Sequence, residues 1–156
     1  NDELAKGEQK EKEMLVRMEK IEADRLDKFQ KDKELFYEKM GVKKAVKQVS
    51  GLQILTFKTG NGKKFSSSKL ATINYTMYLA DGKMIQSTEG SNQPFEFILD
   101  QKPLIPGVKE ALLKMRVGSK LRLFIPYYLG YGEAGGGPFP KKADLIFDLE
   151  LLKVGK

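Results

Sequence analysis

The sequence predicts an α+β domain, an antiparallel sheet covered by one short helix, preceded by a long charged α-helix. Three observations predict it. Apolar residues recur at helical spacing up to about residue 47 and at a period of two from Gly51 onward. All six prolines and most glycines lie after Ser50. Only one stretch among the later strands, after Ile105-Pro106-Gly107, returns to helical spacing. The boundary is read near Val49-Ser50-Gly51, dividing the chain into a helix over 1–47 and a domain over 50–156.

In the first segment Leu4, Leu15, Leu26 and Tyr37 are 11 residues apart, as are Met18, Phe29 and Met40. A repeat of 11 is about 3.67 residues per turn and holds an apolar stripe nearly straight along a helix. Such a stripe has to be covered by the chain's own domain or by a partner helix. The spacing favours a partner.

In the second segment Leu52, Ile54 and Phe57 open a strand, and Thr59-Gly60-Asn61-Gly62 turns it. Over 71–79 the residues alternate, with Ala71, Ile73, Tyr75, Met77 and Leu79 on one face. Asp81-Gly82 signals a hairpin into a strand at 84–87. Further strands are expected at 94–99, 119–126 and 143–153. Val108, Leu112 and Met115 mark the core face of the one helix, which Gly118 is expected to close.

Composition restricts the chemistry. The chain has 156 residues and no Cys, His or Trp. A disulfide framework, the usual zinc sites, and Ser-His or Cys-His nucleophiles are thereby excluded. No run reaches the roughly 18 apolar residues of a membrane span. The net charge of +7 divides unequally: residues 1–50 hold 13 basic against 12 acidic side chains, and residues 51–156 hold 15 against 9. With only four Arg and no Arg-rich stripe interleaved with aromatics, this reads as a solvated basic surface with no nucleic-acid partner.

Gly130 to Gly135, GYGEAG, matches a dinucleotide pattern. It runs into Gly136-Gly137-Pro138-Phe139-Pro140, which cannot begin the helix that a pyrophosphate site needs. Asp148 and Glu150 share one strand face, opposite Leu145, Phe147, Leu149 and Leu151, and read as a solvated face. Phe97 and Tyr128 read as core. Tyr131 and Phe139 lie on a Gly/Pro loop where a bulky ring is hard to bury, which points to a concave apolar pocket.

From about Ser50 to Lys153 the chain resembles the FKBP-type peptidyl-prolyl cis-trans isomerases. The resemblance is carried, in order, by SGLQ at 50–53, NYTMYLADGKMIQST at 74–88, PFEFIL at 94–99, LIPGVKEALLKMRVGSKLRLFIP at 104–126, YGEAGGGPFP at 131–140 and LIFDLELL at 145–152. The helix running into SGLQ is similar to the macrophage-infectivity-potentiator subgroup, whose members are commonly dimeric and exported to the cell envelope. The resemblance implies a half-barrel sheet wrapped on a short helix, a proline-accepting pocket between them, and no cofactor or metal. It assigns Tyr75, Phe95, Ile105, Tyr131 and Phe147 to catalysis, with Tyr131 and the Ile105 N–H donating hydrogen bonds to substrate carbonyls. Ile85, Gln86, Leu104, Val108 and Phe139 are assigned to the substrate pocket. Implied partners are proline-containing unfolded or extended protein clients and a second copy held through residues 1–47. The implied location is the cell envelope, periplasmic or lipid-anchored after loss of an upstream signal.

The chain departs from the family pattern where Phe-Asp is usual and Ile85-Gln86 stand here. Val108 replaces a floor residue that is commonly Trp, and Phe139 and Lys141 replace an Ile and a Pro of the usual loop. A carboxylate charge and floor volume are both lost. The expectation is a weakened isomerase; the alternative is a chaperone or peptide-binding module with little turnover.

Overall fold

The computed structural model describes residues 2–89 and 91–155. Helix α1 spans Asp2–Lys39. At 1.5 Å per residue it is about 57 Å long. Among its dense charges, Glu22–Arg25 and Asp27–Lys31 pair at i,i+3 and i,i+4, each with the acid on the N-terminal side, the favourable order. The helix stops eight residues short of the expected Lys47. Gly41 adopts φ 91°, a left-handed conformation that a side chain disfavours, and its N–H donates to the Glu38 carbonyl. After a 3₁₀ turn at Val42–Lys44 the chain already enters the sheet as strand β1, Val46–Lys47.

The remaining strands are β2 (Gln53–Lys58), β3 (Ala71–Leu79), β4 (Met84–Ser87), β5 (Phe95–Phe97), β6 (Lys120–Ile125) and β7 (Leu145–Val154). Among the described residues they form one antiparallel sheet in the order β1-β2-β6-β7-β3-β4, with β5 also paired to β3. β4 lies against the 76–78 end of β3 and β5 against the 71–73 end. Helix α2, Pro106–Leu112, has Pro at its first position, where the missing N–H costs nothing. Gly118 does not close it. The helix ends at Leu112, and Gly118 sits in the turn before β6, its N–H donating to the Leu151 carbonyl.

The inner face of the sheet wraps α2. Leu52, Ile73, Val108, Leu112, Met115, Leu123, Leu145, Leu149 and Leu151 are almost fully buried there, as the alternation predicts. Phe57 is not among them. Two residues of parity separate Leu52 from Ile54 but three separate Ile54 from Phe57, so its ring is half exposed beneath the Arg122 guanidinium, 5.0 Å away.

The outer face is also covered. Phe36 and Tyr37 from the last turn of α1, with Met40 just after it, pack on Phe124, Ile146 and Tyr78. Ile146 is consequently fully buried on the face that the sequence assigned to solvent. Asp148 on that face is no solvated carboxylate. Arg122, directly across the strands, donates to it through Nε at 2.6 Å and Nη2 at 2.9 Å. The Arg122 Nη1 donates to the Met40 carbonyl at 3.1 Å, so the guanidinium ties the segment leaving α1 to the sheet. Lys33 makes a second tie, 2.6 Å from Asp144, whose other oxygen accepts from the Tyr127 N–H.

Only the end of the apolar stripe meets its own domain. Tyr37 and Met40 dock, and Phe29 reaches a small cavity beside Leu79, Asp81 and Pro140. Leu4, Leu15, Met18 and Leu26 remain more than half exposed. No helix among the described residues is long and apolar enough to cross a membrane.

Candidate active site

An apolar cavity of about 350 Å³ opens between the inner face of the sheet and the N-terminal end of α2. Strand alternation builds its walls. Ile73, Tyr75 and Met77 project from β3 toward the same side. Phe147 stands opposite Met77 on β7, and its ring stacks on Tyr75 at 5.2 Å and 12°. Phe95, paired with Ile73, meets Tyr75 edge-on at 6.1 Å. Gln86 enters from β4, also opposite Met77. Leu104, Ile105 and Val108 supply the helix side, and Tyr131 the loop side.

The position of Tyr75 is fixed from its backbone. Its N–H donates to the Thr88 hydroxyl at 2.9 Å, its carbonyl accepts from the Thr88 N–H, and the hydroxyl in turn donates to Asn74. Tyr131 is held by its loop. Gly136 and Phe139 exchange both backbone hydrogen bonds, which folds the loop back so that Phe139 stacks on Tyr131 at 3.9 Å. Gly135 is required at the bend: a Cβ there would come within 2.4 Å of the Pro140 carbonyl oxygen. Burial raises the pKa of both pocket phenols, that of Tyr75 further through its neighbour Tyr131, so both remain protonated donors near neutrality. The Ile105 carbonyl accepts the first two hydrogen bonds of α2, while no protein group among the described residues accepts from its N–H.

Of the ten expected residues, Tyr75, Gln86, Phe95, Leu104, Ile105, Val108, Tyr131 and Phe147 line the cavity together. Phe139 is brought up behind Tyr131 and does not form the wall itself. Ile85 lies on β4 half-buried against the core, outside the lining. Tyr128, expected in the core, is 56% exposed. It lies on a 3₁₀ turn at Tyr127–Leu129, from which Leu129 and not Tyr128 packs inward. Four lining residues were not expected: Ile73, Met77, Lys102 and Pro103. The first two carried a signal in the alternation of β3. Lys102 carried none; its ammonium sits 4.9 Å over the Phe95 ring, and among the described residues it is the one charged member of the lining. No group of three or more potential metal ligands exists among the described residues.

The arrangement has counterparts in known proteins. The family model for FKBP-type peptidyl-prolyl cis-trans isomerases matches residues 61–152. The chain is 41% identical over 107 residues to the FKBP-type peptidyl-prolyl cis-trans isomerase FkpA of Aeromonas hydrophila, an alignment covering 69% of this chain and 39% of that protein. It is 38% identical over 136 residues to FkpA of Escherichia coli strain K12, covering 86% of this chain and 49% of that protein. The chain thus spans about half or less of the length of these curated relatives. The crystal structure of Escherichia coli FkpA superposes with a TM-score of 0.69 at 34% identity, covering 89% of this chain and 63% of that one. A peptidyl-prolyl cis-trans isomerase structure from Pseudomonas syringae gives 0.66 at 27% identity, covering 82% and 93%. A sheet wrapped on one short helix, an aromatic cavity at that helix's N-terminal end and a family model matching more than half the chain agree: this chain belongs to the FKBP-type peptidyl-prolyl cis-trans isomerase family.

Proposed function

We propose that the chain catalyses cis-trans isomerisation of X–Pro bonds in unfolded or extended protein clients, with turnover reduced by its pocket substitutions. The observation that carries this reading is the aromatic cavity lined by Ile105, whose N–H has no acceptor among the described residues. Rotation about an amide must break its resonance, a barrier of about 18–20 kcal/mol in water. In a dry apolar site the planar, charge-separated amide loses the solvation that favours it, while the twisted state is less polar and loses less. Tyr75, Phe95 and Phe147 enclose the prolyl ring from three sides. The Ile105 N–H and the Tyr131 hydroxyl donate to carbonyls flanking the bond and hold the peptide while its X–Pro carbonyl turns. No nucleophile, proton transfer or cofactor is needed.

Two residues limit the rate in this reading. Gln86 brings no charge to the side of the pocket facing Tyr75, so neither phenol gains a carboxylate acceptor to orient it. Val108 leaves the floor wide. The same two features favour a second reading, a peptide-holding module with minor turnover. A protease-coupled assay on a proline-containing tetrapeptide separates them: a rate above the uncatalysed one that falls on Tyr131→Phe is expected, and a rate equal to the uncatalysed one overturns the isomerase reading.

We further place the protein in the cell envelope and assign the exposed stripe of α1 to self-association. The first rests on the resemblance to the infectivity-potentiator-like subgroup, the second on Leu4, Leu15, Met18 and Leu26 continuing the same face that docks through Tyr37 and Met40.

A further inference from the structure

We propose that the end of the domain formed by β2, the start of β6 and the segment before β6 is a docking surface for an anionic lipid headgroup layer. Residues 51–70 contain no Asp or Glu, and 101–122 contain only Glu110. The fold stitches these two segments together. Gly62 and Phe65 donate to the carbonyls of Val117 and Met115, Val117 donates back to Lys63, and Gly60 donates to the Ser119 hydroxyl.

The stitching places like charges face to face. Lys58 is the cross-strand partner of Lys120, and Lys64 is the bridge partner of Arg116. Lys63 is adjacent, and Lys114 shares with Lys58 a groove of about 240 Å³. Two carboxylates are near: Glu110, 3.9 Å from Lys114, and Glu150, across from Lys120 on β7. Among the described residues none of Lys58, Lys63, Lys64, Arg116 and Lys120 forms an ion pair.

Like charges directly opposite on a sheet destabilise it. One Glu at Lys58 or Lys64 would turn either pair into an attractive one. Keeping both repulsive pairs is explained by a ligand that neutralises them from outside. The chemistry of the patch selects the class. It is five lysines and one arginine, mostly point charges on flexible stems, and the half-exposed ring beside Lys58 in the chain, Phe57, is occupied by Arg122. Nucleic acid would use stacked rings and arginine forks. A diffuse lysine patch with the half-exposed side chains of Phe57 and Leu113 beside it suits a headgroup layer, where each lysine adds attraction without fixed geometry. The patch lies at the C-terminal end of α2, while the cavity lies at its N-terminal end, so a docked domain keeps its pocket open to solvent.

The test is co-sedimentation of the full chain with vesicles. Binding is expected to vesicles of phosphatidylglycerol and phosphatidylcholine, not to phosphatidylcholine alone, and should weaken at least about tenfold as salt rises from about 50 to 300 mM. The double variant Lys58→Glu, Lys64→Glu should lose at least about tenfold in binding while its Tm rises, because each new carboxylate faces a cation. Lys6→Glu, Lys10→Glu on α1 carries the same change in net charge and should bind as the parent does. Should the first variant fold poorly, Lys58→Gln, Lys64→Gln removes the charges alone and must still weaken binding. Absence of binding to phosphatidylglycerol vesicles, equal loss in the α1 control, or tighter binding to a single-stranded oligonucleotide than to vesicles would each overturn the proposal.

Discussion

Gln86 and Tyr37 show how single residues set properties that their neighbours do not. Gln86 enters the cavity opposite Met77, on the side of the sheet that carries Tyr75. Replacing it by Asp places an acceptor for a phenol there, and kcat/KM on X–Pro peptides should rise by up to about tenfold. No gain would show that the defect lies at Val108. Tyr37 is half-buried between α1 and the sheet, tilted on Phe124 at 5.4 Å, and its hydroxyl is sealed from solvent with no hydrogen-bond partner among the described residues. Burial raises its pKa above the ordinary tyrosine value, and the nearby Asp144 carboxylate adds to the shift. The folded state therefore holds this proton more tightly than the unfolded chain. Its contribution to stability is complete below the unfolded pKa of about 10 and is lost as pH rises beyond it. Denaturant titrations at pH 8 and at about pH 11 should show a loss at the higher pH that Tyr37→Phe reduces. At pH 8 the Phe variant should be at least as stable, since an unsatisfied buried hydroxyl is removed.

At the scale of elements, α1 is two things. Its last turns are part of the domain, held by Phe36, Tyr37 and the following Met40 on Phe124 and Ile146, by Lys33 on Asp144, and by Arg122 on the Met40 carbonyl. Earlier in the helix Leu4, Leu15, Met18 and Leu26 stay more than half exposed. Arg122→Ala should cost roughly 2–4 kcal/mol in urea unfolding, because Asp148 is left largely buried without its partner and the Met40 carbonyl loses a donor. Hydrogen exchange should speed up at Phe36–Met40 in that variant and stay unchanged in residues 2–26. Equal protection along the whole helix in the parent would contradict this division. The element was legible from its charge pattern and 11-residue spacing. Its docking was not, because a residue spaced to meet a partner helix and one spaced to meet a sheet give the same string. The expected stop near Lys47 failed for a related reason: propensity continues past Lys39, and it is the left-handed turn at Gly41 that lets Val46–Lys47 reach β2.

For the whole molecule, self-association through α1 is tested with the docked turns kept in place. Deleting residues 1–45 would strip Met40, Phe36 and Tyr37 from Phe124 and Ile146 and create a new apolar face, so the informative deletion is 1–28. Light scattering at micromolar concentration should give a dimer mass for the full chain and a monomer mass for the deletion, with unchanged turnover of a tetrapeptide. A monomer in both cases would defeat the assignment. The sequence by itself determined the α+β class, most of the strands with the inward sets of β3, β6 and β7, the helix opened by Pro106, and eight of the residues that meet in the cavity, because period-two alternation and turn residues are local and resemblance preserves order along the chain. Only the tertiary structure decided what covers the outer face, that Asp148 is paired, that Tyr128 points outward, that Lys102 joins the cavity, and that Lys58 and Lys64 face other cations. Most of these depend on which segments, tens of residues apart, are brought into register, and a linear string carries the pattern of each strand but not its neighbour.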